Sequence, residues 1–447
     1  SGGEPPNDLL DQRDDLINQL SKLINTDTVK QSDGSVNVYV GNGHAIVVGS
    51  QKLSLETIVS PDNPDNLTLG LVSANQTIQL PEDQITGGAL GGILAFRRDS
   101  LDGAQNALGR VAMTLAQTFN EQHQLGVDLN GDMGKELFTV SSPKIISAST
   151  NNAASNITAS ISDFGALTTS DYQFSYDGTN YTLTNLSDNS SVSTAVIPSG
   201  ATPLTLDGLS VTGAAILPNE RFLIQPTVNG AKGIAVNITD TTEIAAAGPN
   251  RTSAASTNKG TGTISAGTVN SLPLDPNLQQ PLTITFHAPY DGQYDATGTG
   301  TGFPPTNQAY TAGADISFNG YAFQISGQPA AGDVFTIEPN SNGSSDNRNA
   351  LLLGALQTKS TMENGTATYQ ATYAQLVSQI GNKTRELDVT SKAQANLLAQ
   401  TEKSIQSLSG VNLDEEAANL MRFQQAFQAS SKVIEISNTL FDSLLRI

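Results

Sequence analysis

Apolar residues recur every seven positions at the end of the chain. From Asn412 to Ile447 there is neither Gly nor Pro, and Leu413, Leu420, Phe427, Ile434 and Phe441 mark one stripe. A helix shows this repeat when it buries one side against other helices. Asn412 is placed to cap the helix, with Glu415 three residues on to reach back to the cap amide. Asp414, Glu415 and Glu416 sit at the positive end of its dipole. Chain ends fray unless something holds them. These five apolar residues are therefore a candidate interface, and the period alone leaves open what covers it.

The same period opens the chain. Leu10, Ile17 and Ile24 are seven apart, and Leu9, Leu16, Leu20 and Leu23 widen the stripe, which predicts a helix over 7–25 capped by Asn7 or Asp8. Alternation then takes over at Val36, Val38 and Val40, with Gly41-Asn42-Gly43 as a hairpin turn, Ala45–Val48 as the return strand, and a loop at Pro61 and Pro64. Gly87-Gly88-Ala89-Leu90-Gly91-Gly92 reads as a tight lead into a helix. Leu94, Leu101, Leu108 and Leu115 place that helix in an ordinary bundle, running to about Gln122 and stopped by Gly126.

From Ser141 to Ser345 the sequence turns rich in Ser, Thr, Gly and Asn, with short strand-like bursts such as Tyr172–Tyr176, Tyr181–Thr184 and Leu282–Phe286. An internal echo runs through it. Leu206-Asp207-Gly208-Leu209 leads to Phe222-Leu223-Ile224-Gln225-Pro226, and Phe318-Asn319-Gly320-Tyr321 leads to Phe335-Thr336-Ile337-Glu338-Pro339. Two related β modules follow from this. The Gly/Thr stretches at 259–263 and 298–302 read as flexible loops. After Ser345 no Pro occurs. Leu351–Leu408 reads as helix, broken or flexed near Gly365 and Gly381, with Tyr369, Tyr373, Leu376 and Ile380 in one stripe, followed by Leu387, Leu397, Ile405 and Leu408. The predicted fold class is α+β. Both chain ends form a discontinuous helical-bundle stem, residues 1–140 plus 346–447, with a small β hairpin region at 28–85 and a terminal assembly helix at 412–447. Two β-rich domains, 141–250 and 251–345, are inserted in it.

Composition narrows the function. A net charge of −20 repels nucleic acid and anionic lipid, and no apolar run is long enough to span a bilayer. Charged residues make up only 14% of the chain, and Cys and Trp are absent, so thiol chemistry and disulfides are excluded. His44, His123 and His287 have no metal-ligand spacing, no Gly-x-Ser-x-Gly elbow occurs, and no cofactor is implied. The Gly-rich run at 87–92 lacks the Lys-Ser/Thr ending of a phosphate loop. Asp128-Leu129-Asn130-Gly131-Asp132 opens like a calcium loop, but Met133 stands where that loop needs Gly and Thr139 where it needs an acid. A turn held by side-chain oxygens is the expectation there. Nothing in the residues announces an enzyme.

The terminal block Ser409–Glu416, followed by Leu420-Met421-Arg422-Phe423-Gln424-Gln425-Ala426-Phe427-Gln428-Ala429, resembles the C-terminal signature of bacterial flagellar axial proteins. Asn7–Asp14, Gly91–Arg97, Phe119–Asp128 and Asp346–Ala350 narrow the resemblance to the hook-associated protein 1 family, which forms the first hook–filament junction. The resemblance covers the stem through Gly126 and again from Asp346, covers the first β module loosely, and leaves the second as an extra insertion. It implies a structural protein, secreted through the flagellar export channel largely unfolded, that forms a short helical ring between hook and flagellin filament. The partners implied are copies of itself, the hook protein, other hook-associated proteins and an export chaperone. The family's N-terminal helix is missing here, so the chain reads as a fragment, with Ser1-Gly2-Gly3-Glu4-Pro5-Pro6 as a loop from mid-protein. The alternative is a surface binding or adhesion module carried by the β-rich domains.

Overall fold

The change from a seven-residue to a two-residue apolar period after Ile24 is where the backbone changes state. In the computed structural model α1 (Asn7–Leu23) ends there, and Ile24 is buried as the chain enters an antiparallel sheet of β1 (Thr26–Lys30), β2 (Val36–Val40), β3 (His44–Val48) and β4 (Gln51–Lys52). Gly41 and Gly43 take the positive φ, 57° and 99°, that the β2–β3 turn requires. The structure describes residues 7–445, apart from 74, 75, 271, 301–305, 342 and 411. The loop expected at Ser1–Pro6 lies outside the described residues, as do Thr301, Gly302 and Val411, and so does the side chain of Leu408. A second sheet, β5 (Ser54–Val59), β6 (Leu67–Ser73) and β7 (Gln76–Leu80), has the Pro61/Pro64 loop between its first two strands. Ile24, Val40, Leu71, Leu80 and Ile85 form one core, against which Leu90 and Leu94 pack.

Next comes one helical run: α2 (Gly88–Phe96), a π-helical stretch Arg97–Asp102, and α3 (Gly103–Gln124). Gly87 and Gly88 make the tight lead, since a Cβ on Gly88 would lie 2.6 Å from the Leu23 carbonyl oxygen at the end of α1. The bundle packing expected of Leu94-Leu101-Leu108-Leu115 is not what α3 shows. Leu101 and Leu108 are exposed, and the buried side is Asn106, Ala107, Gly109, Met113, Thr114, Ala116, Asn120 and His123. The physical reason is that α3 is covered by loop backbone, the single helical turn Gly230–Gly233 and the short helix Arg348–Ala355, not by long bundle helices. Small residues let that backbone approach, and polar ones bond its carbonyls: Asn106 Nδ2 to Thr169 O (3.1 Å), Thr114 Oγ1 to Phe164 O (3.1 Å) and Asn120 Nδ2 to Phe138 O (2.7 Å). Nor does Gly126 serve as a left-handed cap. Its φ is not positive, and it is small because a Cβ there would lie 2.2 Å from Asn349 Nδ2. The Asp128 turn is held as expected, with Asp128 Oδ1 accepting the Asn130 and Asp132 amides at 2.8 and 3.0 Å.

The echo is a duplicated fold. The first copy comprises β8 (Lys144–Ser147), β9 (Asn156–Ile161), β10 (Tyr172–Tyr176), β11 (Tyr181–Asn185), β12 (Ser191–Thr194), β13 (Leu204–Leu206), β14 (Leu209–Ala214) and β15 (Glu220–Gln225). After a single turn, α4 (Gly230–Gly233), the second comprises β16 (Asn250–Ala254), β17 (Thr263–Ile264), β18 (Thr268–Val269), β19 (Leu282–Phe286), β20 (Gln293–Gly298), β21 (Gln308–Ala309), β22 (Asp315–Phe318), β23 (Tyr321–Ser326) and β24 (Val334–Pro339). Their five-stranded sheets run β12-β11-β10-β15-β8 and β21-β20-β19-β24-β16, the same order strand for strand. Each packs on a smaller sheet, β13-β14-β9 in one and β17, β18 and β22 around β23 in the other. In both, the opening strand pairs with the closing one, Lys144 opposite Gln225 and Asn250 opposite Pro339. The paired turns match too: Asp207 and Gly208 have φ of 49° and 76°, Asn319 and Gly320 of 50° and 72°. Phe174, Phe222 and Ile224 fill one core, and Phe286, Phe335 and Ile337 the other.

A buried carboxylate at the head of the closing strand clasps each copy. Glu220 accepts the amides of Leu217 and Asn152 at 2.7 Å. Asp333 accepts Ala330 N (2.8 Å), Lys259 N (2.8 Å) and Gly260 N (3.0 Å). Burial alone would raise the pKa of Asp333, but these amide bonds outweigh it and hold it below the usual range. The flexible loop expected at 259–263 is therefore a clasped segment that runs into β17, and Gly298 of the second Gly/Thr stretch belongs to β20. Single-sequence composition could not see a carboxylate lying far along the chain.

The chain returns through α5 (Arg348–Ala355), the stretch 356–368 and α6 (Tyr369–Ser409), followed by α7 (Leu413–Leu445). The break near Gly365 is real, with φ of 81° there, whereas Gly381 sits inside unbroken α6. Asn349 Nδ2 donates to Ala245 O, and Gln122 Nε2 donates to Asn349 Oδ1, both at 2.7 Å. The fold is α+β, helices at both ends and antiparallel sheets between. The chain divides into two compact units, Ser1–Val377 and Ser378–Ile447.

Candidate assembly interface

Nothing in the sequence of α7 interrupts a helix, and its start is built as a cap: Asn412 Oδ1 accepts the Asp414 amide at 3.1 Å. The five heptad residues all face solvent. Leu413, Leu420, Phe427, Ile434 and Phe441 are between 61% and 81% exposed. In the second unit, Lys383 and Asn419 apart, every described side chain is exposed. Its ion pairs each lie within one helix, as in Lys392–Asp388 at 2.7 Å. A heptad stripe on a straight α-helix drifts by about 20° per repeat, so these residues stay on one seam only if α7 supercoils left-handedly around a partner.

The heptad is not all that α7 exposes. Val433, Ile436 and Leu440 are exposed as well. At about 100° per residue Val433 and Leu440 lie about 80–120° round the helix from Ile434 and Phe441, and Ile436 about 140–160°. The signal was in the sequence, in the i, i+3, i+7 spacing of these three, but the seven-residue repeat masks it. The last turns of α7 are thus apolar on two faces, the pattern of a helix enclosed in its working state.

Two more stripes lack cover. On α6, Tyr369 and Leu376 are buried, while Tyr373, Val377 and Ile380 are exposed, so the single stripe read from sequence splits into two adjacent faces. Leu387, Leu397 and Ile405 continue exposed. On α1, Leu9, Leu16 and Leu23 form an exposed seven-residue repeat beside the partly covered Leu10 and Ile17. No three His, Asp or Glu side chains among the described residues gather to hold a metal.

Helical ends with uncovered apolar repeats and duplicated sheets between them define an α+β class of protein with exposed apolar helix faces. Comparison with known proteins gives that class its family. Residues 1–138 match the family model of the flagellar hook-associated protein FlgK helical domain, and residues 146–226 that of the flagellar hook-associated protein 1 D2-like domain. Residues 404–447 match the C-terminal model of the flagellar basal body rod FlgEFG proteins. Flagellar hook-associated protein 1 of Salmonella typhimurium is 32% identical over 448 residues, covering 100% of this chain and 65% of that protein. The Escherichia coli protein of that name is 30% identical with the same coverage. The structure of the flagellar hook junction protein FlgK from Burkholderia pseudomallei matches with a TM-score of 0.75 and 34% identity, over 90% of this chain and 79% of that one. The chain belongs to the family of flagellar hook-associated protein 1, FlgK. It spans 65% of the length of the curated relatives it matches.

Proposed function

We propose that this chain is part of a structural subunit of the bacterial flagellum, located at the junction of hook and filament. The observation that carries the reading is the uncovered seam Leu413, Leu420, Phe427, Ile434 and Phe441. Enclosing each such side chain is worth about 1.5–3 kcal/mol before ordering entropy is subtracted. A stack of subunits provides the cover, because a head-to-tail contact repeated along an axis closes into a ring or helix. Residues 1–140 with 346–447 act as the stem, and 141–250 and 251–345 as two domains carried by it. The partners are further copies of the chain, the hook protein, other hook-associated proteins and an export chaperone, and the site of action is outside the cell. The chemistry is that of packing rather than catalysis. Leu420→Asp with Phe427→Asp in the full-length protein tests this: secretion into the medium persists, and the protein is absent from purified hook–filament junctions. Normal incorporation of the double variant would end the proposal.

A further inference from the structure

Between β19 and β20 the chain of the second module turns, and His287 at the start of that turn stands between two carboxylates. Its Nδ1 lies 2.9 Å from Asp291 Oδ2 and its Nε2 3.1 Å from Asp295 Oδ1. Both carboxylates also anchor backbone. Asp291 Oδ1 accepts the Gln293 amide at 3.0 Å, which closes the turn, and Asp295 Oδ1 accepts the Asn307 amide at 2.8 Å, which fixes the approach to β21. The imidazole is 19% exposed and lines an open recess of about 480 Å³ with Thr285, Pro289 and Gly332. The titratable groups lining that recess are His287, Asp291 and Asp295.

A carboxylate only accepts hydrogen bonds, so serving both needs an N–H on both ring nitrogens, which only the imidazolium has. We propose that His287 is a proton-operated latch: protonated, it ties the turn after β19 to β20 and the approach to β21; neutral, it keeps one carboxylate and turns a lone pair on the other. The bonds to Asp291 and then Asp295 hold the imidazole pKa above its ordinary value. The His287 bond in turn holds Asp291 below the usual carboxylate range, and the Asn307 amide and then His287 do the same for Asp295. A raised pKa makes the closed form complete in acid, and it is lost as pH rises through the raised midpoint. The latch stands on the second module alone and does not depend on the assembly reading.

NMR of the imidazole signals in the whole chain, which has three His, tests it, with His287→Gln to assign the resonance. The His287 midpoint lies above the unperturbed value of about 6.5, and it falls in Asp291→Asn and in Asp295→Asn. Through that midpoint the amide held by the released carboxylate, Gln293 on Asp291 or Asn307 on Asp295, corrected for intrinsic exchange, exchanges about tenfold faster relative to Thr283, as loss of one charge-assisted bond requires. A wild-type midpoint at or below the ordinary value, or amide protection that does not change through it, overturns the latch. In the wild type the His287 ring signals can also be assigned by correlation to their own backbone, so a variant that fails to fold leaves the titration and the amide exchange to decide.

Discussion

Replacing Gly109 by alanine should destabilise the first unit, although the same change inside a helix is ordinarily favourable by about 0.5–1 kcal/mol. The reason is the closeness of α3 to the segment before α4. A Cβ on Gly109 would lie 1.8 Å from the Thr227 carbonyl oxygen and 2.9 Å from its carbon. Gly230 is constrained from the other side, since its Cβ would lie 2.4 Å from Gly109 O. Real Cβ atoms essentially never come within 3.0 Å of such an atom, so helix and segment must part by the difference, 3.0 less 1.8, or 1.2 Å. Parting them strains the bond that bridges the contact, Gln105 Nε2 to Val228 O at 2.9 Å. Overpacking of this kind costs about 1–3 kcal/mol, and a weakened hydrogen bond about 1 kcal/mol more. Set against the helix gain, the net is a loss of about 1–3 kcal/mol. Gly103→Ala is the control: it lies in the same helical run with nothing within 4 Å of its Cβ, so it should gain stability. Urea unfolding followed by circular dichroism measures both. Equal stability for the two variants, or a Gly109→Ala protein more stable than wild type, would refute the reasoning.

Three further outcomes are expected. His123 is fully buried, with Nδ1 2.7 Å from Lys135 O and Nε2 accepting the Ala245 amide at 2.8 Å. Burial pushes its pKa down, outweighing the Lys135 carbonyl and the Asp128 charge. The unfolded chain therefore binds the proton first, and stability falls as pH drops below about 6.5; His123→Ala, at a cost of about 2–4 kcal/mol, should flatten that slope in unfolding free energies measured between pH 7 and pH 5. Asp333→Asn should cost about 1.5–3 kcal/mol, because an amide oxygen cannot take over three amide bonds made by a carboxylate, and hydrogen exchange should locate the loosening at Lys259 and Gly260. In the wild type the contribution of this depressed carboxylate is present above its unfolded pKa and lost in strong acid. Finally, the amides of α7 in dilute monomer should exchange with little protection, since no described side chain of it is buried; strong protection from Leu413 onward would contradict the assembly proposal.

Local chemistry was legible in the sequence, and long-range contact was not. Gly41-Asn42-Gly43 and the Asp207-Gly208 and Asn319-Gly320 turns were readable because positive φ restricts the residue types allowed. That the two β modules are related was readable from those turns and the Phe-x-Ile strands after them, whereas the order of their strands was not. Gly109, Gly126 and Gly230 were not legible as close contacts, because each is set by backbone from a distant segment. For the same reason a leucine repeat on α3 suggested a bundle, while its buried side turned out to be small and polar. The candidate interface shows both outcomes. Its heptad could be read off directly, and the neighbouring face of Val433, Ile436 and Leu440 was hidden beneath the stronger period.

Each duplicated module begins and ends on neighbouring antiparallel strands, with Lys144 beside Gln225 and Asn250 beside Pro339. Where the chain leaves the underlying backbone and where it rejoins are therefore side by side, like the two legs of a staple. A body hung in this way can be enlarged, exchanged or trimmed away without altering the path of the polypeptide beneath it. That geometry frees the size of the side body from the course of the helices that carry it.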